Sequence, residues 1–199
     1  AICPILFDYD NDGDLDVFMH TLEISVGGPA ALYRNNGSFS FTDVTAADAT
    51  SFTTDVADGR GASVADIDND GDLDIYRTNG STSFGGGSSY LYLNGTNNSN
   101  WLKVKVVGTV SDPQAFGARV KVFNTGTSTL VGYSQVQGQT GYEGFNSLIQ
   151  HFGVLSSGNY DVQVTFPSGT VETQTNVATA QTITITESGS AVQDWYILE

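Results

Sequence analysis

Two short acidic segments hold the side chains best suited to chemistry in this sequence, and that chemistry is the binding of a hard metal ion. Each segment places five aspartates at alternate positions within nine residues, around an Asp-Gly pair. A glycine at the sixth position permits the tight turn that directs several carboxylate oxygens at one point. The candidate metal ligands are Asp8, Asp10, Asp12, Asp14 and Asp16 in the first segment and Asp66, Asp68, Asp70, Asp72 and Asp74 in the second.

The donor set favours Ca²⁺. Carboxylates at positions 1, 3, 5 and 9 and a backbone carbonyl at position 7 are hard ligands, and soft ligands for zinc or copper are absent from both segments. At position 7, we expect Asp14 and Asp72 to bind through their carbonyls while their carboxylates face water or support the other ligands. Met19 and Arg77 stand at position 12, where an EF-hand needs glutamate. We therefore expect two Ca²⁺ ions, one in each loop, rather than two ordinary hairpins with solvated carboxylates.

The acidic segments belong to an internal repeat that predicts how they are positioned. Residues 8–16 match residues 66–74 at eight of nine positions, with an offset of 58. A repeat of this length with several short strands is typical of propeller blades rather than of a helical solenoid. We expect each acidic loop to join two strands of a blade, with a third strand following. The predicted strands are 5–7, 17–20, 31–34 and 39–44 in the first unit and 63–65, 75–78 and 90–93 in the second.

The second half of the chain shows a different pattern. Residues 94–100 are polar and typical of a linker. In the strand that follows, apolar side chains alternate with Lys103 and Lys105, which we expect on the opposite face. Further strands are predicted at 118–123, 130–136, 160–166, 170–175, 181–186 and 195–198.

The predicted fold class is all-β, with two propeller-like blades in residues 1–98 and a β-sandwich-like domain in residues 99–199. On its motifs the sequence resembles the calcium-binding FG-GAP/VCBS blades of integrin-like β-propellers. It resembles more closely the cartilage acidic protein (CRTAC) family, in which such blades precede an ASPIC/UnbV domain. Besides the acidic loops, the resemblance rests on residues 32–37, 41–45, 100–104, 117–120, 141–142, 151–153 and 166–169.

The resemblance implies a secreted, calcium-stabilised protein of extracellular adhesion or matrix structure. Propellers of this kind have about seven blades, whereas the sequence has two acidic loops. The chain is therefore expected to be either a piece of a larger propeller or a small relative that assembles with copies of itself. An apolar face at Ile2, Ile5, Phe7 and Val17, together with the apolar segment 195–198, predicts head-to-tail contact between copies and an extracellular filament.

Charge and hydropathy narrow the range of partners. Seven basic against 22 acidic residues give a net charge of −15, which disfavours nucleic acid, and no apolar run is long enough to span a membrane. We expect protein chains, including copies of this one, or glycans as partners.

No motif for nucleophilic or zinc-dependent catalysis is present, and we expect a protein that is not an enzyme. The alternative is a polysaccharide-binding lectin or a fragment of a carbohydrate-active enzyme. Tyr90 and Tyr92, on one strand face, are the candidate aromatic platform for that alternative. Glu143 and Glu172 are the conceivable carboxylate pair.

Four Asn-x-Ser/Thr sequons lie in predicted loops of the first half and favour a secreted glycoprotein. The candidate glycosylation sites are Asn36, Asn79, Asn94 and Asn97.

Overall fold

The computed structural model describes residues 2–21, 29–54, 59–80, 87–138 and 144–189, and its fold is all-β, as the sequence predicts. A short α-helix, α1 (Thr45–Asp48), and a 3₁₀ turn (Thr50–Thr54) follow the first sheet. No helix in these residues is long and apolar enough to cross a bilayer. The strands are β1 (Ile2–Phe7), β2 (Asp16–Thr21), β3 (Ala31–Asn35), β4 (Phe41–Asp43), β5 (Gly59–Ala65), β6 (Asp74–Asn79), β7 (Tyr90–Tyr92), β8 (Trp101–Val107), β9 (Arg119–Asn124), β10 (Leu130–Gln135), β11 (Gln150–Gly153), β12 (Asn159–Thr165), β13 (Val171–Ala178) and β14 (Gln181–Thr186).

Two antiparallel sheets form the first half of the chain. Their strand orders are β1-β2-β3-β4 and β5-β6-β7, so each acidic segment joins the first two strands of its own sheet. The two sheets share one apolar core, which includes Phe7, Phe18, Leu32 and Ile75. Neither sheet buries its apolar face alone, which is the behaviour expected of neighbouring blades in a repeat protein.

Two further sheets form the second half. One has the order β11-β8-β14, with β14 parallel to β8, and the other has the order β10-β9-β12-β13. Leu102 and Val104 of β8 and Val120 and Val122 of β9 are fully buried in one core between the sheets. Two sheets around a single core form a β-sandwich. The division of the chain between residues 98 and 99 remains a prediction.

The structure differs from the sequence-based expectations at β11 and at the apolar face of β1, and one expected strand is not described. Strand β11 was not expected, because its four residues are too few to show an alternating pattern. The expected strand at 195–198 lies outside the described residues. Ile5 and Phe7 are only 8% and 3% exposed, because the shared core of the blades covers them. The expectation that a neighbouring copy must cover these two side chains is therefore wrong.

Candidate metal centres

Both acidic segments form closed loops with the same backbone conformation. The antiparallel register pairs Phe7 with Asp16 and Ala65 with Asp74, so the sheet itself joins the two ends of each loop. At position 4 the two loops have φ values of 60° and 64°, and at position 6 they have 92° and 102°. Asparagine tolerates this left-handed region and glycine adopts it readily. The residue types at positions 4 and 6 therefore account for the turn.

The carboxylate at position 9 ties the first loop to the last residue of β3 and the second loop to Asn94, two residues beyond β7. Asp16 accepts hydrogen bonds from the N–H groups of position 2 and of Asn35, at 3.0 and 2.8 Å. Asp74 accepts the equivalent pair from position 2 and from Asn94, both at 2.8 Å. Both carboxylates are fully buried. The two loops thus repeat one hydrogen-bonding scheme as well as one sequence.

Three carboxylates converge in each loop. Within each set of three, one oxygen from every residue lies within 4.8 Å of the others. Ca²⁺ binds oxygen ligands at about 2.3–2.6 Å, so ligands on opposite sides of one ion stand about 4.6–5.2 Å apart. The spacing therefore fits a single ion of this size in each loop. The first triad is Asp8, Asp10 and Asp16, and the second triad is Asp66, Asp68 and Asp74.

Both triads contain a buried oxygen that accepts no hydrogen bond from the described residues. These atoms are Oδ1 of Asp10 in the first triad and Oδ1 of Asp66 in the second. A buried anionic oxygen without a donor is unfavourable, and a cation is the partner that such an oxygen can bind. The two oxygens without a donor therefore indicate that these carboxylate triads suit a divalent cation.

Burial and crowding also disfavour the charged forms of these side chains. Burial raises the pKa of Asp8 to about 7. The hydrogen bond from the Gly13 N–H lowers this pKa, and the neighbouring carboxylates raise it. Burial likewise raises the pKa of Asp16 to about 7, although two backbone N–H groups stabilise its charged form. The pKa values of Asp10 and Asp74 are raised as well, mainly by burial. The triads therefore favour binding of positive charge, whether protons or a metal ion.

The carboxylates at position 5 lie outside both triads. Oδ1 of Asp12 accepts the N–H of Asp14 at 2.9 Å, and Oδ1 of Asp70 accepts the N–H of Asp72 at 3.0 Å. Each of these contacts closes a turn of its own loop. The ligand role of Asp12 and Asp70 remains a prediction.

The position-7 carboxylates have different surroundings, although the sequence treats them alike. Asp14 is exposed, as expected, whereas Asp72 is completely buried. Oδ1 of Asp72 accepts the side-chain Nδ2 of Asn11 at 2.8 Å, and its Oδ2 accepts the N–H of Asn97 at 2.6 Å. Since Asn11 belongs to the first loop, Asp72 joins the two loops. The sequence could not show this contact, because it depends on how one blade packs against the next.

The segment expected to be a linker, residues 94–100, is bound to both loops. Asn94 Nδ2 donates to the carbonyls of Tyr9 and Leu73, at 2.7 and 3.3 Å. Thr96 Oγ1 also donates to the carbonyl of Tyr9, at 3.1 Å, and Asn98 Nδ2 donates to that of Asp10 at 2.9 Å. Polar composition alone suggests a free connection. The one sequence signal for a structural role is that Asn94 is the repeat counterpart of Asn35.

One face of the sheet β11-β8-β14 packs directly on the loops. Two cross-strand pairs, Trp101 with Gly153 and Lys103 with His151, form this face, which we call the loop-facing patch. A Cβ atom at Gly153 would overlap the carboxylate of Asp8, so the first loop approaches the sheet where no side chain stands. The C-terminal sandwich therefore forms one wall of the candidate metal centres.

The second loop contacts the remaining residues of the patch. A Cβ atom at Gly71 would overlap the ring of Trp101, and His151 Nε2 lies 2.8 Å from the Gly71 carbonyl. Because a carbonyl can only accept, His151 Nε2 donates this hydrogen bond, and burial lowers the pKa of the ring. Lys103 Nζ forms an ion pair with Oδ2 of Asp66. The sequence correctly predicts that Lys103 lies on the face opposite Leu102. It does not predict that Lys103 is buried against an acidic loop.

The four sequons differ in accessibility. Asn36 and Asn97 are exposed, whereas Asn79 and Asn94 are half-buried. Asn79 Nδ2 donates to the carbonyl of Ser88 at 2.6 Å, and the amide of Asn94 is bonded as described above. Glycosylation at any of the four remains a prediction.

The aromatic pair considered as a glycan platform is partly covered. Tyr90 and Tyr92 stack with ring centroids 5.8 Å apart, and Tyr92 packs edge-on against Phe52 at 4.5 Å. Only Tyr90 is exposed, at 39%. Glu143 lies outside the described residues.

Two family models match parts of this chain. Residues 8–77 match the FG-GAP-like repeat family, and residues 108–192 match the ASPIC and UnbV family. The resemblance to FG-GAP-like repeats followed by an ASPIC/UnbV domain, inferred from the sequence, is confirmed by these two matches.

Among individual proteins, the chain is similar to Cartilage acidic protein 1 of Homo sapiens. The two are 28% identical over 189 residues, which cover 92% of this chain and 27% of the human protein. The chain therefore spans about a quarter of the length of this relative.

The different surroundings of Asp14 and Asp72 predict unequal effects of the same substitution. Asp72→Ala removes the acceptor of the Asn97 N–H and the shortest hydrogen bond of the buried Asn11 amide, so we expect a loss of about 1–3 kcal/mol of unfolding free energy. Asp14→Ala, at an exposed site, is expected to change it by less than about 0.5 kcal/mol. Urea denaturation in saturating Ca²⁺ measures both. Equal losses for the two variants would contradict the assignment of Asp72 as the contact between loops.

The raised pKa values of Asp8 and Asp16 predict how pH affects the ion-free protein. Their folded values of about 7 lie above the unfolded value of about 3.9, so the folded state binds more protons between these limits. The contribution of protonated Asp8 and Asp16 to the stability of the ion-free fold is complete below about pH 4 and is lost as the pH rises through 7. The stabilisation gained on adding Ca²⁺ should therefore grow from pH 5 to pH 8. Urea midpoints with and without Ca²⁺ at each pH test this, and a gain that stays constant or shrinks would contradict it.

Proposed function

We propose that this chain is an extracellular, non-enzymatic Ca²⁺-binding protein in which two ions stabilise the blades and their packing against the sandwich. The observation that carries the proposal is the pair of triads, each with converging carboxylate oxygens and one buried oxygen that lacks a donor. Proteins commonly satisfy such a cluster with Ca²⁺, because its coordination number and bond lengths accommodate several carboxylates.

An extracellular location is supported by the similarity to a protein named for cartilage and acidity, and by the exposed sequons at Asn36 and Asn97. Extracellular modules bind Ca²⁺ at about 10⁻⁴–10⁻³ M, a range in which loops of this kind are filled outside the cell. Filling both loops would change the net charge from −15 to −11, which leaves the protein strongly acidic.

We propose that the protein acts through contacts with other protein chains. Apolar side chains on and after the edge strand β7 support this, since Leu91 and Leu93 are 48% and 59% exposed. Exposed apolar residues on a sheet edge favour pairing with another chain. A glycan partner has weaker support, because only one ring of the Tyr90–Tyr92 pair, that of Tyr90, is exposed. Burial of Ile5 and Phe7 in the core of the blades removes the apolar face that supported a filament.

Ca²⁺-dependent stability tests the proposed function. Removing Ca²⁺ leaves the carboxylates of each triad to repel one another, so a chelator should lower the melting temperature markedly. Millimolar Ca²⁺ should restore it, and Mg²⁺ should restore it poorly because Mg²⁺ requires shorter bonds and a stricter octahedron. Differential scanning calorimetry measures the three states.

A double variant provides the matched control. Asp10→Asn with Asp68→Asn removes one carboxylate from each triad at position 3 and leaves the position-9 hydrogen bonds to Asn35 and Asn94 intact. This variant should fold but show little response to Ca²⁺. A wild-type melting curve that is the same in chelator and in Ca²⁺ would refute the proposal.

A further inference from the structure

The two loops differ in the positive charge that the chain itself supplies. Lys103 and Asp66 pair with side chains only 7% and 3% exposed, and theirs is the one ion pair between two residues of the described ranges. At the first loop, the residue of the sheet that lies against the Asp8 carboxylate is Gly153, which has no side chain and therefore supplies no positive charge. Arg34 acts on Asp10 there through its charge, which favours the carboxylate, and forms no ion pair with it among the described residues.

The position of Lys103 is fixed by its neighbours. Its Nζ lies 5.0 Å from the ring centroid of Trp101, a cation–π arrangement, and His151 stands beside it on the adjacent strand. Both neighbours also contact Gly71 of the second loop. This buried ammonium cannot move into solvent without leaving the buried Asp66 carboxylate without its ion-pair partner.

This fixed charge has opposite consequences with and without an ion. Oδ2 of Asp66 already accepts from Lys103 and from the Gly71 N–H, so only Oδ1 remains for a metal. An ammonium beside the site also repels an incoming divalent cation. When no ion is bound, the same ammonium compensates part of the charge of the second triad.

We propose that Lys103 is a tethered counter-ion that makes the second loop the weaker Ca²⁺ site and keeps this loop packed on the sandwich when Ca²⁺ is absent. The inference rests on the proposed function, since it presupposes that both loops bind Ca²⁺. The first loop is then the tighter site and the one whose folding depends more on the ion.

Single-site variants measure each loop separately. Asp68→Asn removes a ligand of the second loop, so titration of this variant measures Ca²⁺ binding at the first loop. Asp10→Asn removes a ligand of the first loop, so titration measures binding at the second loop. Isothermal titration with Ca²⁺ should show the second loop binding about tenfold more weakly than the first. Equal affinities, or a tighter second loop, would overturn the inference without any change at Lys103.

Removing the charge tests Lys103 itself, with Lys105 as the matched control. Lys105 lies two residues along β8 and is exposed. In the Asp10→Asn background, Lys103→Met should raise the Ca²⁺ affinity of the second loop about tenfold, and Lys105→Met should change it less than about twofold. Without Ca²⁺, Lys103→Met should lower the melting temperature, whereas Lys105→Met should not.

The outcomes separate this inference from the proposed function. If the wild type binds no Ca²⁺, the proposed function fails and the inference fails with it. If the wild type binds two ions but Lys103→Met leaves the second affinity unchanged or lowers it, only the inference is overturned. If Lys103→Met does not fold without Ca²⁺, the inference is still tested by the Ca²⁺ affinities of Asp68→Asn and Asp10→Asn, which compare the two loops with Lys103 in place.

Discussion

The crowding of carboxylates in two short loops is the constraint on which the rest of the structure depends. Charges of one sign this close together, and partly out of water, destabilise a fold unless each is compensated. At position 9, backbone N–H groups compensate the negative charge of Asp16 and Asp74 by donating hydrogen bonds to their carboxylates. Asparagine side chains and one lysine add to this, and the triads remain for a divalent ion.

Much of the packing between the two halves of the chain follows from that constraint. The loop-facing patch meets the loops through two glycines, Gly71 and Gly153, because any side chain there would overlap the opposite half. Asp72 joins the loops to each other, and residues 94–98 join both loops to the connection between the halves. Under the proposed function, ion binding and the docking of the sandwich are therefore linked, since each helps to hold the same loops in place.

The sequence predicts the local features of this arrangement well and the long-range ones poorly. Spacing and glycine placement predict the loops and their flanking strands, since those depend on residues near one another in the chain. Asp14 and Asp72 occupy the same place in identical motifs, yet one is exposed and the other is buried at a contact between blades. Alternation likewise assigns Lys103 to a face of β8 but does not tell what covers that face.

The central claim, that each triad is a Ca²⁺ site, is tested most directly by anomalous diffraction. Crystals grown in millimolar Ca²⁺ should give two anomalous peaks in each molecule. One should lie among the oxygens of Asp8, Asp10 and Asp16, and the other among those of Asp66, Asp68 and Asp74. Well-ordered loops without a peak at either triad would contradict the account.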